Sequence, residues 1–286
     1  MAIELKGLTK KFGALTALDD VSVTFGEEKI YGLLGNNGAG KSTLMNCVTG
    51  RLLPTGGTMT VDGNAPSRDG ATGRMFLLSE DDLYPEDMRV RTALDVAGRF
   101  YPDFDRAWAE SLAQKFALDV RRKISKLSTG YATIFRLVVA LSVNTPYLLL
   151  DEPVLGLDAS HRDLFYHLLL EKYSEHPTTV VISTHLIAEV ADLVERVVIL
   201  KDGRLIENAA ADDLTAEAYS VAGPAGLVDA YLTGRDVLSR TGLGGLKTAC
   251  VRGAAPDGAD LPAGLELSRV NLQDYFVSLM NGEGAQ

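Results

Sequence analysis

The chain has 286 residues, 46% hydrophobic and 23% charged, the balance of a globular protein with room for one large core and a smaller appendage. A net charge of −10 speaks against general nucleic-acid binding, which needs a basic surface. Two cysteines, Cys47 and Cys250, make no disulfide framework, and no apolar run approaches the ~18 residues of a membrane span.

The N-terminus carries no signal-peptide pattern, so the expectation is a protein of the reducing cytoplasm that would serve a membrane only through a partner. Ile3 to Leu8 and Val21 to Phe25 alternate with period two, as half-buried strands do. Between them stands Phe12, an aromatic suited either to stacking on an adenine or to a place in the core. Lys29 to Leu34 reads as a short buried strand and Thr43 to Val48 as the opening of a helix. The turn between them, Gly35-Asn36-Asn37-Gly38-Ala39-Gly40-Lys41-Ser42, fits the P-loop pattern G-x-x-x-x-G-K-[ST] in its required strand–turn–helix setting. Its glycines let backbone N–H groups turn onto phosphate oxygens beside a positive helix end. Lys41 is expected to reach the β- and γ-phosphates and the Ser42 hydroxyl to hold Mg²⁺. The chain is therefore expected to bind a nucleoside triphosphate.

Thr58 to Val61, before the Asp62-Gly63-Asn64 turn, adds a strand to an antiparallel layer beside the P-loop, and Arg74 to Leu78 is a further core strand running into Ser79 and Glu80. From Asp87 to about Leu141 apolar residues recur at three and four, which reads as a helical subdomain inserted into the α/β core. Tyr147 to Leu150 then delivers Asp151-Glu152 at the strand end where parallel sheets bind ligands, and an Asp there is the expected Mg²⁺ partner of a P-loop. Thr178 to Ser183 is a strand ending at Thr184-His185, a placement that favours a phosphate contact for His185. Val197 to Leu200 and Arg204 to Ile206 form a hairpin around Asp202-Gly203. The expected architecture is an α/β P-loop NTPase core over residues 1–208, with a mostly parallel sheet, an antiparallel β layer and a helical subdomain at about 87–141. Residues 209–286 read as a small α+β appendage. Its expected strands are Ala218–Ala222 and Thr248–Val251, and its expected helices Leu227–Leu238 and Leu272–Met280.

From about Ile3 to Glu207 the sequence resembles the ATP-binding subunit of an ATP-binding cassette (ABC) transporter. The resemblance rests on GNNGAGKST (35–43), LSTGY (127–131), LLLDEP (148–153), GLD (156–158) and STH (183–185), in the family's order. The Lys29 start, the Tyr101-Pro102-Asp103-Phe104 segment and the LSTG variant look most like the bacterial exporter-type subset, which includes antibiotic and peptide exporters. The resemblance implies an ATPase with ATP and Mg²⁺ on Gly35, Asn36, Asn37, Gly38, Ala39, Gly40, Lys41, Ser42 and Thr43. Phe12 matches the aromatic stacked on adenine, Asp151 the metal carboxylate, Glu152 the residue that polarises water, and His185 the γ-phosphate switch. Ser128, Thr129 and Gly130 match the signature element that completes the other subunit's site in a head-to-tail homodimer or heterodimer, and Asp158 lies in the interface segment. Ser79 and Glu80 stand at the coupling position toward a separate membrane-spanning subunit, which would hold the protein on the inner face of the cell membrane.

Four positions depart from the family pattern. The signature has Thr129 and Tyr131 for the usual Gly and Gln, Ile134 replaces the usual basic residue of the following helix, and Ser79 replaces a Gln. A chromosome-type ATPase would need a long coiled coil between P-loop and signature, and a duplicated translation-type ATPase a second P-loop; neither is present. A non-transport ATP-dependent switch with little turnover stays as the alternative to a transport ATPase.

Overall fold

The computed structural model describes residues 1–65, 73–79, 84–256 and 261–282. Contacts divide the chain into two units, one of residues 1–185 and 198–208 and the other of residues 186–197 and 209–286.

In the first unit, β1 (Ala2–Phe12), β2 (Leu15–Gly26) and β4 (Gly56–Val61) form an antiparallel sheet in the order β2-β1-β4. Ile3 opposite Phe25 and Leu5 opposite Val23 put the apolar residues of both strands on one face. A second sheet of six strands runs β5-β6-β7-β3-β8-β9. It comprises β3 (Ile30–Leu34), β5 (Met75–Leu78), β6 (Tyr147–Asp151), β7 (Thr179–Thr184), β8 (Arg196–Lys201) and β9 (Arg204–Ala210). β5, β6, β7 and β3 pair in parallel. Every residue of these four strands is buried, which is why they read as continuous apolar runs rather than alternating ones.

Strand alternation turns one face of this sheet toward the antiparallel layer. Tyr31, Leu33, Met75, Leu77, Tyr147, Leu149 and Val181 join the antiparallel layer and helix α1 (Lys41–Val48) in one apolar cluster. On the edge of that cluster the Tyr147 hydroxyl donates to Asp62 Oδ1 at 2.5 Å, tying the end of β4 to the start of β6. Burial, and then the bond to Asp62, push the Tyr147 phenol well above its usual range.

The helical block contains α2 (Val90–Phe100), α3 (Arg106–Lys115), a short 3₁₀ turn (Ile124–Lys126) and α4 (Thr129–Ser142). Asp105 caps α3 by accepting from the Trp108 N–H at 2.8 Å. Helix α5 (Ala159–Glu175) follows β6 and is capped by Asp158. Among the described residues no helix is long and apolar enough to cross a membrane.

In the second unit, β10 (Ala218–Pro224), β11 (Asp236–Leu243), β12 (Leu246–Arg252) and β13 (Glu266–Arg269) form an antiparallel sheet in the order β11-β12-β10-β13. Tyr219, Val221, Val228, Leu232 and Val251 make its own core. Its helices are α6 (Ile187–Val190), α7 (Ala211–Ala216), α8 (Ala225–Tyr231) and α9 (Leu272–Asn281). The expected helix over Leu227–Leu238 is corrected here. It ends at Tyr231, Gly234 turns the chain at φ 77°, and Val237 pairs with Val251 in a strand. Strand β13 was not foreseen. Residues 186–197 were expected in the first unit but cluster with the second, where α6 packs against α9.

Candidate functional site

The parallel strands end together. Leu78 is level with Leu150, Leu150 with Ile182 and Ile182 with Gly32, so Ser79, Asp151-Glu152, His185 and the P-loop all leave the C-terminal edge of one sheet. That edge is where a parallel α/β sheet offers its ligand crevice.

The P-loop closes on its own lysine. Lys41 is buried, and its Nζ donates to the carbonyls of Gly35 at 2.6 Å and Asn36 at 3.3 Å while lying 4.0 Å from Glu152 Oε1. Burial pulls the Lys41 ammonium below its usual range, and the charges of Glu152 and Asp151 oppose that shift. Gly40 caps α1 at φ 103° with no side-chain cap, so the first N–H groups of the helix have no intrahelical partner. A Cβ at Gly40 would lie 2.6 Å from the Ala17 carbonyl oxygen, so only glycine fits there.

A cavity of about 460 Å³ opens over this loop, bordered by residues 37–43, Glu152, Phe12 and the Asp202-Gly203 turn. Phe12 is 46% exposed and so is not a core residue; Lys10 Nζ lies 4.9 Å from its ring centroid. The Asp202-Gly203 turn reads in sequence as a hairpin end, and the structure adds it to the site. Positive φ at both residues makes the tight reversal, and Gly203 N–H donates to the Ala39 carbonyl at 3.1 Å. That contact joins residues far apart in sequence and leaves no local signal.

Asp151 ends β6 buried, and its Oδ1 has no hydrogen-bond partner among the described residues. Glu152 leaves the strand at φ 45°, a left-handed backbone that costs a non-glycine residue about 1–3 kcal/mol and is retained where surrounding structure over-determines it. Its N–H donates to the Ser183 carbonyl at 2.9 Å, and its Oε2 lies 2.9 Å from His185 Nδ1. Lys41, Glu152 and His185 thus form one connected set.

Ser128 caps α4 by accepting from the Tyr131 N–H at 3.4 Å. None of Ser128, Thr129 and Gly130 borders the P-loop cavity of its own chain. Gly130 instead packs on the turn after β6, where a Cβ would lie 3.2 Å from the Gly156 carbonyl oxygen. Asp158 accepts from the His161 N–H at 2.9 Å and meets His161 Nδ1 at 2.8 Å, contacts that hold its carboxyl below the usual range. Ser79 is buried and accepts from Arg51 Nη1 at 3.0 Å, whereas Glu80 lies outside the described residues. Ile134 is 2% exposed, and the basic side chain of this helix is Arg136, which reaches the Ser79 carbonyl at 3.4 Å. Arg136 was missed although it stands seven residues after Thr129, on the same helical face.

The ABC transporter family model matches residues 18–155. The chain is 34% identical to the Nod factor export ATP-binding protein I of Bradyrhizobium diazoefficiens, over 76% of this chain and 73% of that one. It is an ABC transporter ATP-binding subunit. YtrB, an ABC transporter ATP-binding protein of Bacillus subtilis, is 28% identical over 77% of this chain and 75% of its own length. The ribose import ATP-binding protein RbsA of Chelativorans is 33% identical, with 75% of this chain spanning 44% of that protein. The solved ATP-binding subunit of an ABC transporter superposes with a TM-score of 0.66 at 26% identity, over 75% of this chain and 92% of that one. A dimeric bacterial ABC transporter cassette superposes at 0.65 with 24% identity, over 73% and 98%. The α/β ABC fold and an ATPase that powers transport follow from this membership.

Proposed function

We propose that this ABC subunit hydrolyses MgATP with Glu152 preparing the attacking water, in a site completed by the signature element of a second subunit, and that it powers export. The observation that carries the reading is the convergence of Lys41 and Glu152 on one cavity, with His185 hydrogen-bonded to Glu152.

Residues 35–43 and the Lys41 ammonium hold the triphosphate, and Phe12, which borders the same cavity, stacks on the adenine. The donor set fits Mg²⁺: a buried Asp151 oxygen without a hydrogen-bond donor is an acceptor that a cation satisfies. Ser42 Oγ and Asp151 would hold the ion, which when bound neutralises charge on the phosphate oxygens. No group of three or more His, Cys, Asp or Glu gathers as a metal site among the described residues, so the remaining ligands come from the substrate and water. Glu152 accepts from the attacking water, and His185 orients the carboxylate and faces the γ-phosphate.

Ser128, Thr129 and Gly130 serve the partner's ATP, for which the N-terminus of the 14-residue α4 is an anion site. Asp158 stands at the interface between the two subunits. A membrane-spanning subunit docks at residues 79–85 and holds the protein on the cytoplasmic face. The export direction is supported by 34% identity along 73% of a Nod factor export protein.

Glu152→Gln tests the reading. It should bind ATP, lose hydrolysis by at least about 100-fold and run as an ATP-dependent dimer on size-exclusion chromatography. Wild-type hydrolysis in this variant would remove Glu152 from the mechanism.

A further inference from the structure

One face of α4 carries Thr129, Thr133 and Arg136, spaced four and three residues apart, the interval that stacks side chains along a helix. All three border a second cavity of about 260 Å³ that also touches Ser79, Asp151 and Glu152. Arg136 Nη1 donates to the Ser79 carbonyl at 3.4 Å and Nη2 to Thr133 Oγ1 at 3.3 Å. The Thr133 hydroxyl donates in turn to the Leu155 carbonyl at 3.2 Å, in the turn that follows Glu152. Arg51, just beyond α1, gives Nη1 to Ser79 Oγ at 3.0 Å and Nη2 to the Leu77 carbonyl at 3.4 Å. Hydrogen bonds thus run from the end of the P-loop helix through Ser79 and α4 to the turn behind the catalytic carboxylate.

We propose that Thr133 and Arg136 are positioning residues of the ATPase, which hold Ser79 and the turn at Leu155 in one frame and so set where the Glu152 carboxylate stands. The proposal rests on Glu152 preparing the water, and the Glu152→Gln test above stands apart from it. Neither Thr133 nor Arg136 borders the P-loop cavity that holds the ATP of its own chain. Thr133 holds the turn that follows Glu152, and Arg136 holds Thr133 and Ser79; the left-handed φ of Glu152 needs that turn fixed. A catalytic group displaced by about 1 Å loses rate and not affinity for the ground state. Two of the departures from the family pattern, at Ser79 and Ile134, then read together. Ser79 is too short to act as a Gln would, Ile134 is buried, and Arg136 supplies a planar fork able to bind two acceptors at once.

The experiment is steady-state ATPase of the full chain, resolved into kcat and KM for MgATP, for Thr133→Val, Arg136→Met and the double variant. Each single change should lower kcat about tenfold with KM within about twofold, and the double should fall no more than about twofold below the weaker single, because both break the same chain of bonds. Arg136→Lys, with one point of contact in place of a fork, should recover only part of the rate. A wild-type kcat in Thr133→Val, a loss carried by KM, or losses that multiply in the double variant would each overturn the proposal. If Arg136→Met does not fold, Thr133→Val decides, since it exchanges a hydroxyl for a methyl of similar volume.

Discussion

Lys41, Glu152 and Gly40 each have an exacting environment for a different reason. The Lys41 ammonium is desolvated, which pulls it below its usual range, and the two carboxylates beside it oppose that shift. Glu152 holds a backbone angle that most residues avoid. Gly40 combines positive φ with a backbone oxygen where a side chain would begin, whereas Gly38, at φ 82°, has open space around its Cβ position. The two glycines therefore separate strain from collision. Gly38→Ala should cost only the strain of a left-handed alanine, about 1 kcal/mol. Gly40→Ala adds a contact at 2.6 Å with the Ala17 carbonyl, so the loop must shift and ATP affinity should drop by at least about tenfold. Thermal unfolding and a nucleotide titration of both variants measure this. Equal behaviour of the two would mean the loop yields more easily than its packing implies.

Helix α4 shows how one element serves two purposes. Its first turn carries the signature residues, capped by Ser128, and its next two turns carry Thr133 and Arg136 toward the pocket behind Glu152. The segment between β5 and α2 is the proposed docking element. Ser79 anchors one end, and Tyr84 the other, with its ring 5.3 Å from that of Phe135 in an edge-on contact. Burial raises the Tyr84 phenol to about 12, so it stays neutral at physiological pH. Glu80, Asp81 and Asp82 lie outside the described residues, but their charge suits a basic helix of a membrane subunit. Reversing all three to Lys should weaken co-purification with that subunit, most strongly at low salt, and leave ATP binding by the isolated chain unchanged. A complex that survives the triple reversal at low salt would place docking elsewhere.

At the scale of the molecule, all the residues assigned to ATP lie in the first unit. The second unit has its own sheet and core, yet it includes residues 186–197, directly after His185. Ile187 and Val190 of α6 are buried, and α6 packs against α9. Removing residues 209–286 strips that cover from α6. The truncated protein should therefore unfold several degrees lower, on the order of what 1–2 kcal/mol moves in a domain of this size, while MgATP affinity holds within about threefold. Calorimetry and nucleotide titration report the two effects separately. A folded truncation that loses ATP affinity would give the second unit a direct part in the site.

Local chemistry determined much of this protein from the sequence alone. A P-loop is a backbone conformation with one lysine, so eight consecutive residues specify it, and buried parallel strands announce themselves as unbroken apolar runs. Asp151-Glu152 and His185 were legible because they stand at the ends of such strands, and register then carries them to one edge. Tertiary structure alone decided what depends on distant residues meeting. It set Phe12 on the cavity rather than in the core and brought the Asp202-Gly203 turn against Ala39. It also ended the helix expected through Leu238 at Tyr231, because pairing with Val251 drew Val237 into a strand. Ser79 stood out in sequence only as a missing Gln. Two arginines, one after α1 and one in α4, converge on it across the first unit, and no stretch of sequence contains both.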